Sequence, residues 1–284
     1  MNTLKAIEYI IRTNRFDLKN IYQSRNRANN MGENLEEYVK DIFAQSLFCE
    51  SEQERLEKIS NTFSYLGNSN NPPDSILRYG DAIEVKKVES YYSSLALNSS
   101  YPKDKLRITD PLISKSCRNC EPNWEQKDIL YIVGVVDNSR LRKLFMVYGI
   151  DYAADYSVYE RLKNTIKNGV ESIPGIHFEN SKELGHINRV DPLGITYFRV
   201  RGMWGIENPF KVFSYILQPM KNVNFELFAI INNDKFNSFP EEDRNRLINL
   251  TSISNNFNII NVKIKNPNNP ALLKDAKLLH YIFN

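Results

Sequence analysis

The sequence predicts an α/β fold, a central mixed β-sheet flanked by helices. Three observations carry this. The first sixty residues repeat apolar side chains at helical spacing. From residue 75 the pattern shifts to short runs rich in β-branched and aromatic residues. Helical segments then return between those runs, the order that wraps helices around a sheet. The chain has 284 residues, 42% hydrophobic and 25% charged, which is ample for a sizeable core. Lys plus Arg is 37 against 34 for Asp plus Glu, and a net charge of +3 does not by itself imply a polyanionic partner. No apolar run is long enough for a membrane-spanning helix. The N-terminal stretch MNTLKAIEYIIRTNRFD lacks a secretory apolar region, so a cytoplasmic location is expected. Three cysteines are too few for a disulfide framework.

Along the chain, Leu4, Ile7, Ile10, Ile11 and Leu18 predict an amphipathic helix within 4–20. Residues 23–30 are a polar, basic linker. Leu35, Val39, Ile42, Phe43 and Leu47 form one stripe and predict a helix over 32–48, followed by a charged helix at 52–61. The run Gly67-Asn68-Ser69-Asn70-Asn71-Pro72-Pro73 breaks the pattern. Residues 75–77 and 82–85 then read as a hairpin around Arg78-Tyr79-Gly80-Asp81. The apolar segments 129–136 and 143–150 read as central strands joined by a polar turn at Asp137-Asn138-Ser139-Arg140. A helix is expected at 156–167 and strands at 195–201 and 225–231. Ser238-Phe239-Pro240-Glu241 fits a capping box, and Asn269-Pro270 puts Pro at a first helical position, so two late helices are expected. No linker forces a split, and a single domain over 1–284 is expected.

The chemically informative stretch is Pro73-Asp74, nine residues, then Glu84-Val85-Lys86. On a hairpin, Asp74 opens the first strand. Glu84 and Lys86, two apart on the second, point to one sheet face. Two carboxylates and an ammonium therefore converge. Mg²⁺ takes oxygen ligands and retains several waters, so two carboxylates plus a substrate phosphate oxygen suit it. Lys86 can orient or deprotonate a water for in-line attack on phosphorus. Asp81 and Lys87 read as solvated hairpin charges. Glu36 flanks the apolar stripe of the helix at 32–48. It either leans toward the metal site or, like Glu33 and Glu37, only favours the helix N-terminus.

Asn29-Asn30-Met31-Gly32 with Leu35-Glu36-Glu37-Tyr38-Val39-Lys40 resembles the NgoPII-type family of type II restriction endonucleases. So do Asn71-Pro72-Pro73-Asp74 with Gly80-Asp81-Ala82-Ile83-Glu84-Val85-Lys86-Lys87, and Ala96-Leu97-Asn98-Ser99-Ser100-Tyr101-Pro102-Lys103. Asp191-Pro192-Leu193-Gly194-Ile195-Thr196 with Arg201-Gly202-Met203-Trp204 continues the likeness, which runs from about residue 20 to 245. The resemblance implies a PD-(D/E)xK restriction-endonuclease-like core and Mg²⁺-dependent cleavage of double-stranded DNA. The implied target is GGCC, cut centrally to leave 5′-phosphate ends. It further implies a cognate methyltransferase that protects the same site. The matching catalytic positions are Asp74, Glu84 and Lys86, with Glu36 assisting and Asp74, Glu84 and Val85 as the metal site. The single domain then divides into an N-terminal helical part (1–62), a catalytic core (63–165), and a DNA-recognition and C-terminal part (166–284). A homodimer is expected, its two-fold axis matching the palindrome.

Guanine O6 and N7 are best met by bidentate Arg, and Arg199 and Arg201 share one face of an expected strand, so they are the leading base readers. Asn98, Ser99, Ser100 and Lys103, with Lys105, suit phosphate or base-edge contacts in a loop after the catalytic strand; a plain surface loop is the alternative. Arg25 and Arg27 are a basic arm or a solvated linker. Trp204 reads as core or interface. Cys117-Arg118-Asn119-Cys120 is one CxxC, whereas zinc normally takes four ligands. Structural Zn²⁺ at Cys117 and Cys120, completed by Cys49, His177 or His186, stays open beside reduced thiols. His280 falls on the last expected helix. No Walker loop is present, so ATP dependence is not expected. Two alternatives remain: a structure-selective repair or junction nuclease on the same fold, and a catalytically silent DNA-binding protein.

Overall fold

The computed structural model describes residues 1–18, 31–68, 71–220 and 223–284. Among the described residues the chain opens with α1 (Thr3–Thr13), α2 (Met31–Ala44) and α3 (Glu52–Thr62). Asn2 caps α1 by accepting from the Lys5 N–H, and Ser51 caps α3 by accepting from the Glu54 N–H. The basic stretch with Arg25 and Arg27 lies outside the described residues. Then come β1 (Phe63–Asn68), β2 (Asn71–Leu77), β3 (Ala82–Val88), β4 (Leu95–Asn98), β5 (Lys105–Arg107), α4 (Lys115–Arg118), β6 (Gln126–Asp137) and β7 (Arg140–Tyr148). The chain continues through α5 (Gly149–Tyr152), α6 (Tyr156–Glu171), β8 (Gly185–Asn188), β9 (Tyr197–Val200), β10 (Trp204–Ile206) and α7 (Pro209–Val212). It closes with β11 (Phe225–Asn232), α8 (Asn233–Ser238), α9 (Glu241–Ile253), β12 (Phe257–Asn266) and β13 (Asn269–Phe283).

The main sheet runs β1-β2-β3-β6-β7-β11-β13-β12, with β5 added beside β6. It is mixed: β3–β6 and β7–β11 are parallel, while β2–β3, β6–β7, β11–β13 and β12–β13 are antiparallel. Its middle strands are covered on both faces, which is why they read as continuous apolar runs. On β6, Leu130 and Ile132 pack with α1, α2 and α9 on one side. Tyr131 and Val133 pack with Phe210 and Phe213 around α7 on the other. The β6–β7 turn has Asn138 and Ser139 both at positive φ, the backbone a two-residue hairpin needs. Among the described residues no helix is long and apolar enough to cross a membrane.

Two expectations fail at the C-terminal end. Ser238 does not cap α9; its hydroxyl donates to the Lys235 carbonyl and closes α8, and Pro240 takes the cap position. Asn269-Pro270 begins a strand. Leu278, Leu279 and Tyr281 are buried, and β13 is paired on both sides by β11 and β12 from residue 276 to 281. Burial within the sheet outweighs the local helix signal, and Pro270 is tolerated because it lies beyond the reach of β11. His280 is therefore a sheet residue. Its Nε2 meets Glu226 at 2.9 Å and its ring stacks on Phe228. Asp81 is no solvated charge either, since it accepts from Tyr148 and from Lys235. Lys87 pairs with Glu89 at the surface.

The N-terminal helices are joined by a buried guanidinium. Arg55 of α3 donates Nε to Asp41 Oδ1 at 2.6 Å and Nη2 to Glu37 Oε2 at 2.5 Å, both on α2. Asp41 is fully buried. Arg55→Leu removes the guanidinium that bonds this buried carboxylate and is expected to cost about 3–5 kcal/mol, read from urea unfolding. A loss below about 1 kcal/mol would mean that α2 and α3 are held by apolar packing alone.

Candidate active site

The β2–β3 hairpin sets the site. β2 and β3 pair Ser75 with Ile83 and Ile76 with Ala82, which brings Asp74 beside the outgoing β3 strand. There the Val85 N–H donates to Asp74 Oδ2 at 2.6 Å. The Val85 side chain faces the core below α2, so Glu84 and Lys86 face the opposite side, as their spacing requires. Lys86 Nζ donates to Glu84 Oε1 at 2.6 Å. Gly67 is required at its position: a Cβ there would lie 2.4 Å from the Pro73 carbonyl oxygen, so β1 passes Pro73–Asp74 with no room for a side chain.

The site gathers like charge around one ammonium. Burial, then the Glu84 carboxylate, push the Asp74 pKa well above the ordinary Asp value, and Glu36 adds to the effect. Burial pulls Lys86 down, but Glu84 and Asp74 more than offset it and leave its pKa raised. Glu84 Oε2 is buried, with no hydrogen-bond partner among the described residues. An unpaired buried carboxylate oxygen beside a second carboxylate under like-charge strain is what a hard divalent cation relieves. The residues present fit Mg²⁺. They supply two carboxylates, with Glu36 near enough to act through space; among the described residues no group of three or more His, Cys, Asp or Glu gathers at metal-binding distance.

Asp74, Glu84 and Lys86 line a cleft of about 850 Å³. The same cleft is lined by Asn98 at the end of β4 with Ser99 and Ser100 just after it, and by Arg199 and Arg201 at the end of β9. Trp204 lines it too, set edge-on to Tyr101 and Tyr159. The structure thus brings these predicted residues to one place although more than a hundred positions separate the first from the last.

Glu36 and the Val85 side chain do not line the cleft, and neither does Lys103. It is buried, its Nζ lies 3.2 Å from Asp110 and above the Tyr101 ring, and its backbone N–H donates to the Tyr131 hydroxyl. Its ammonium is buried and already paired, so the structure does not place it at the cleft as the expected DNA contact. Lys105 pairs with Asp128 on β6.

The cleft also holds residues the sequence did not single out. Glu183 accepts from both Arg199 and Arg201. Lys163 of α6 and Lys182 face the cleft, and burial together with Lys167, Lys103 and Lys182 lowers the Lys163 pKa. Leu162 and Ile166 form the apolar wall beside Lys163. The helical spacing of Leu162 and Ile166 was a readable signal; the meeting of Glu183 with two arginines was not.

Cys117 is buried, and burial pushes its thiol pKa up to about 12; the Ser64 hydroxyl lies 3.9 Å from Cys120 Sγ. Cys49 sits by Lys58 and Glu54, and His177 is exposed. Among the described residues, the CxxC pair gathers no zinc ligand set.

A model of the NgoPII restriction endonuclease family matches residues 1–265. The chain is 52% identical over 282 residues to the type II restriction enzyme NgoPII of Neisseria gonorrhoeae, covering 99% of each sequence. No solved structure matches it significantly.

Proposed function

The chain belongs to the NgoPII restriction endonuclease family and is a type II restriction endonuclease; on that premise we propose that it cuts both strands of duplex DNA at GGCC with Mg²⁺, through Asp74, Glu84 and Lys86. The observation that carries this reading is the buried, unpartnered Glu84 Oε2 next to Asp74, in a cleft that Arg199 and Arg201 also line.

Asp74, Glu84 Oε2 and the Val85 backbone would hold the ion, with waters and a phosphate oxygen completing its shell. When bound, Mg²⁺ supplies positive charge where the attacking and leaving oxygens become more negative. Lys86, an ammonium held by Glu84, orients the attacking water and donates toward the scissile phosphate. Glu36 acts through space by strengthening the negative field that attracts the ion. Arg199 and Arg201 read guanine edges, and Asn98, Ser99 and Ser100 contact the strand near the cut. Two copies related by a two-fold axis present two such clefts to a palindrome. The cut leaves 5′-phosphate ends, the enzyme acts in the cytoplasm, and a methyltransferase of the same specificity protects host DNA.

Plasmid DNA incubated with the protein and Mg²⁺, followed by sequencing of the ends, tests this directly. Discrete fragments ending at GGCC are expected. A smear, or products confined to branched DNA, would instead identify a structure-selective nuclease.

A further inference from the structure

Arg199 and Arg201 emerge from β9 two residues apart, and one carboxylate holds both. Arg199 donates Nε to Glu183 Oε2 at 2.6 Å and Nη2 to Oε1 at 2.5 Å. Arg201 donates Nε to the same Oε1 at 2.5 Å. The β8–β9 hairpin fixes this meeting. Gly185 pairs with Val200, and the Leu184 N–H donates to the Val200 carbonyl, so Glu183 comes level with the strand end where both arginines leave. A guanidinium has two bidentate edges, one built on Nε and one on the two terminal nitrogens. Glu183 occupies the Nε side of each arginine. The terminal edge of each therefore remains for a second acceptor, in an orientation set before that acceptor arrives.

We propose that Glu183 is a positioning residue for base reading: it clamps the Nε edges of Arg199 and Arg201 so that their terminal nitrogens meet guanine O6 and N7 in fixed register, and its charge keeps the pair from serving as a general phosphate clamp. This rests on the proposal that the two arginines read bases. Two physical consequences follow. A fork already oriented loses less freedom when it binds. A cluster of two cations and one anion carries half the charge of two cations alone, so it gains less from phosphates of any sequence. The arginines hold the Glu183 pKa below the usual carboxylate range, so the clamp persists through the neutral pH range.

The test uses Glu183→Gln, which keeps shape and removes charge, beside Arg199→Ala and Arg201→Ala. Binding is read by fluorescence anisotropy with Ca²⁺ in place of Mg²⁺. One duplex carries GGCC and the other has that site changed to GCGC. Cleavage is read as kcat and KM. Glu183→Gln is expected to raise KM for the GGCC duplex about tenfold, with kcat changed less than about twofold. It is also expected to tighten binding to the GCGC duplex and to steepen its log K against log salt slope by about one. Thermal unfolding of the variant should match wild type, since the clamp lies at an exposed strand end. Unchanged KM and unchanged discrimination in Glu183→Gln, with both arginine variants impaired, would overturn the clamp alone. If both arginine variants bind GGCC as wild type does, base reading by this pair fails and the clamp fails with it.

Discussion

Lys86→Ala is expected to lower the cleavage rate about 10³-fold while leaving binding to a GGCC duplex within a few-fold of wild type. Positioned proton and charge handling by one side chain contributes typically 10²–10⁴ in rate. Three factors of ten correspond to about 4 kcal/mol of barrier. Lys86 Nζ lies 2.6 Å from Glu84 Oε1, whereas the arginines are held by Glu183. Removal of Lys86 therefore strips charge from the reaction centre and takes nothing from the arginine fork. Single-turnover cleavage and anisotropy on the same preparation separate the two effects. A variant that cuts within tenfold of wild type would show that Lys86 is held at the site only to pair with Glu84.

Asp74→Asn should reduce cleavage roughly 10⁴-fold, because loss of a metal anchor forfeits several kcal/mol of charge stabilisation. The same variant carries a stability signature independent of activity. In the metal-free protein, burial and the neighbouring Glu84 raise the Asp74 pKa above the value of 3.8 that it has when unfolded. The folded state then binds the proton more tightly than the unfolded chain. Stability contributed by this group is present at low pH, is lost as pH rises from about 3.8 through the raised value, and stays lost above it. Asp74→Asn removes that loss. With chelator, the variant should melt above wild type at neutral pH, and the gap should close toward pH 4 and below. Mg²⁺ should raise the melting temperature of wild type, since a ligand that binds only the folded state stabilises it. The variant should respond little. Equal Mg²⁺ stabilisation of both proteins would remove Asp74 from the metal site.

The parts of this molecule legible in its sequence are those set by near neighbours. The stripe of Leu35, Val39, Ile42 and Phe43 marked α2, because helical contacts recur every three to four residues. The turns at 78–81 and 137–140 marked two hairpins, because hairpin geometry demands particular backbone angles from a few adjacent residues. The Glu84 and Lys86 pair was assigned to one face by the two-residue period of a strand, and both line the cleft. The relation of Asp74 to that pair followed from the hairpin alone.

Lys103 shows where such reading stops. It stands in a polar run that reads as surface, yet the fold buries it against Asp110 and Tyr101, because the solvent available to a side chain depends on everything packed around it. The final fifteen-residue strand is a second case. Asn269-Pro270 carries a sound local helix signal, but β11 and β12, both distant or antiparallel partners, bury Leu278 and Leu279 and satisfy the backbone as strand. By itself the sequence determined the helix stripes, the hairpins at 78–81 and 137–140, the carboxylate–ammonium motif and, through its likeness to known enzymes, the family. Only the tertiary structure decided the order of the main sheet, the burial of Lys103 and the capture of two arginines by Glu183. The physical reason is range: period and turn chemistry act over a few residues, whereas burial, field and ion pairing are set by atoms that the folded chain brings together from far apart.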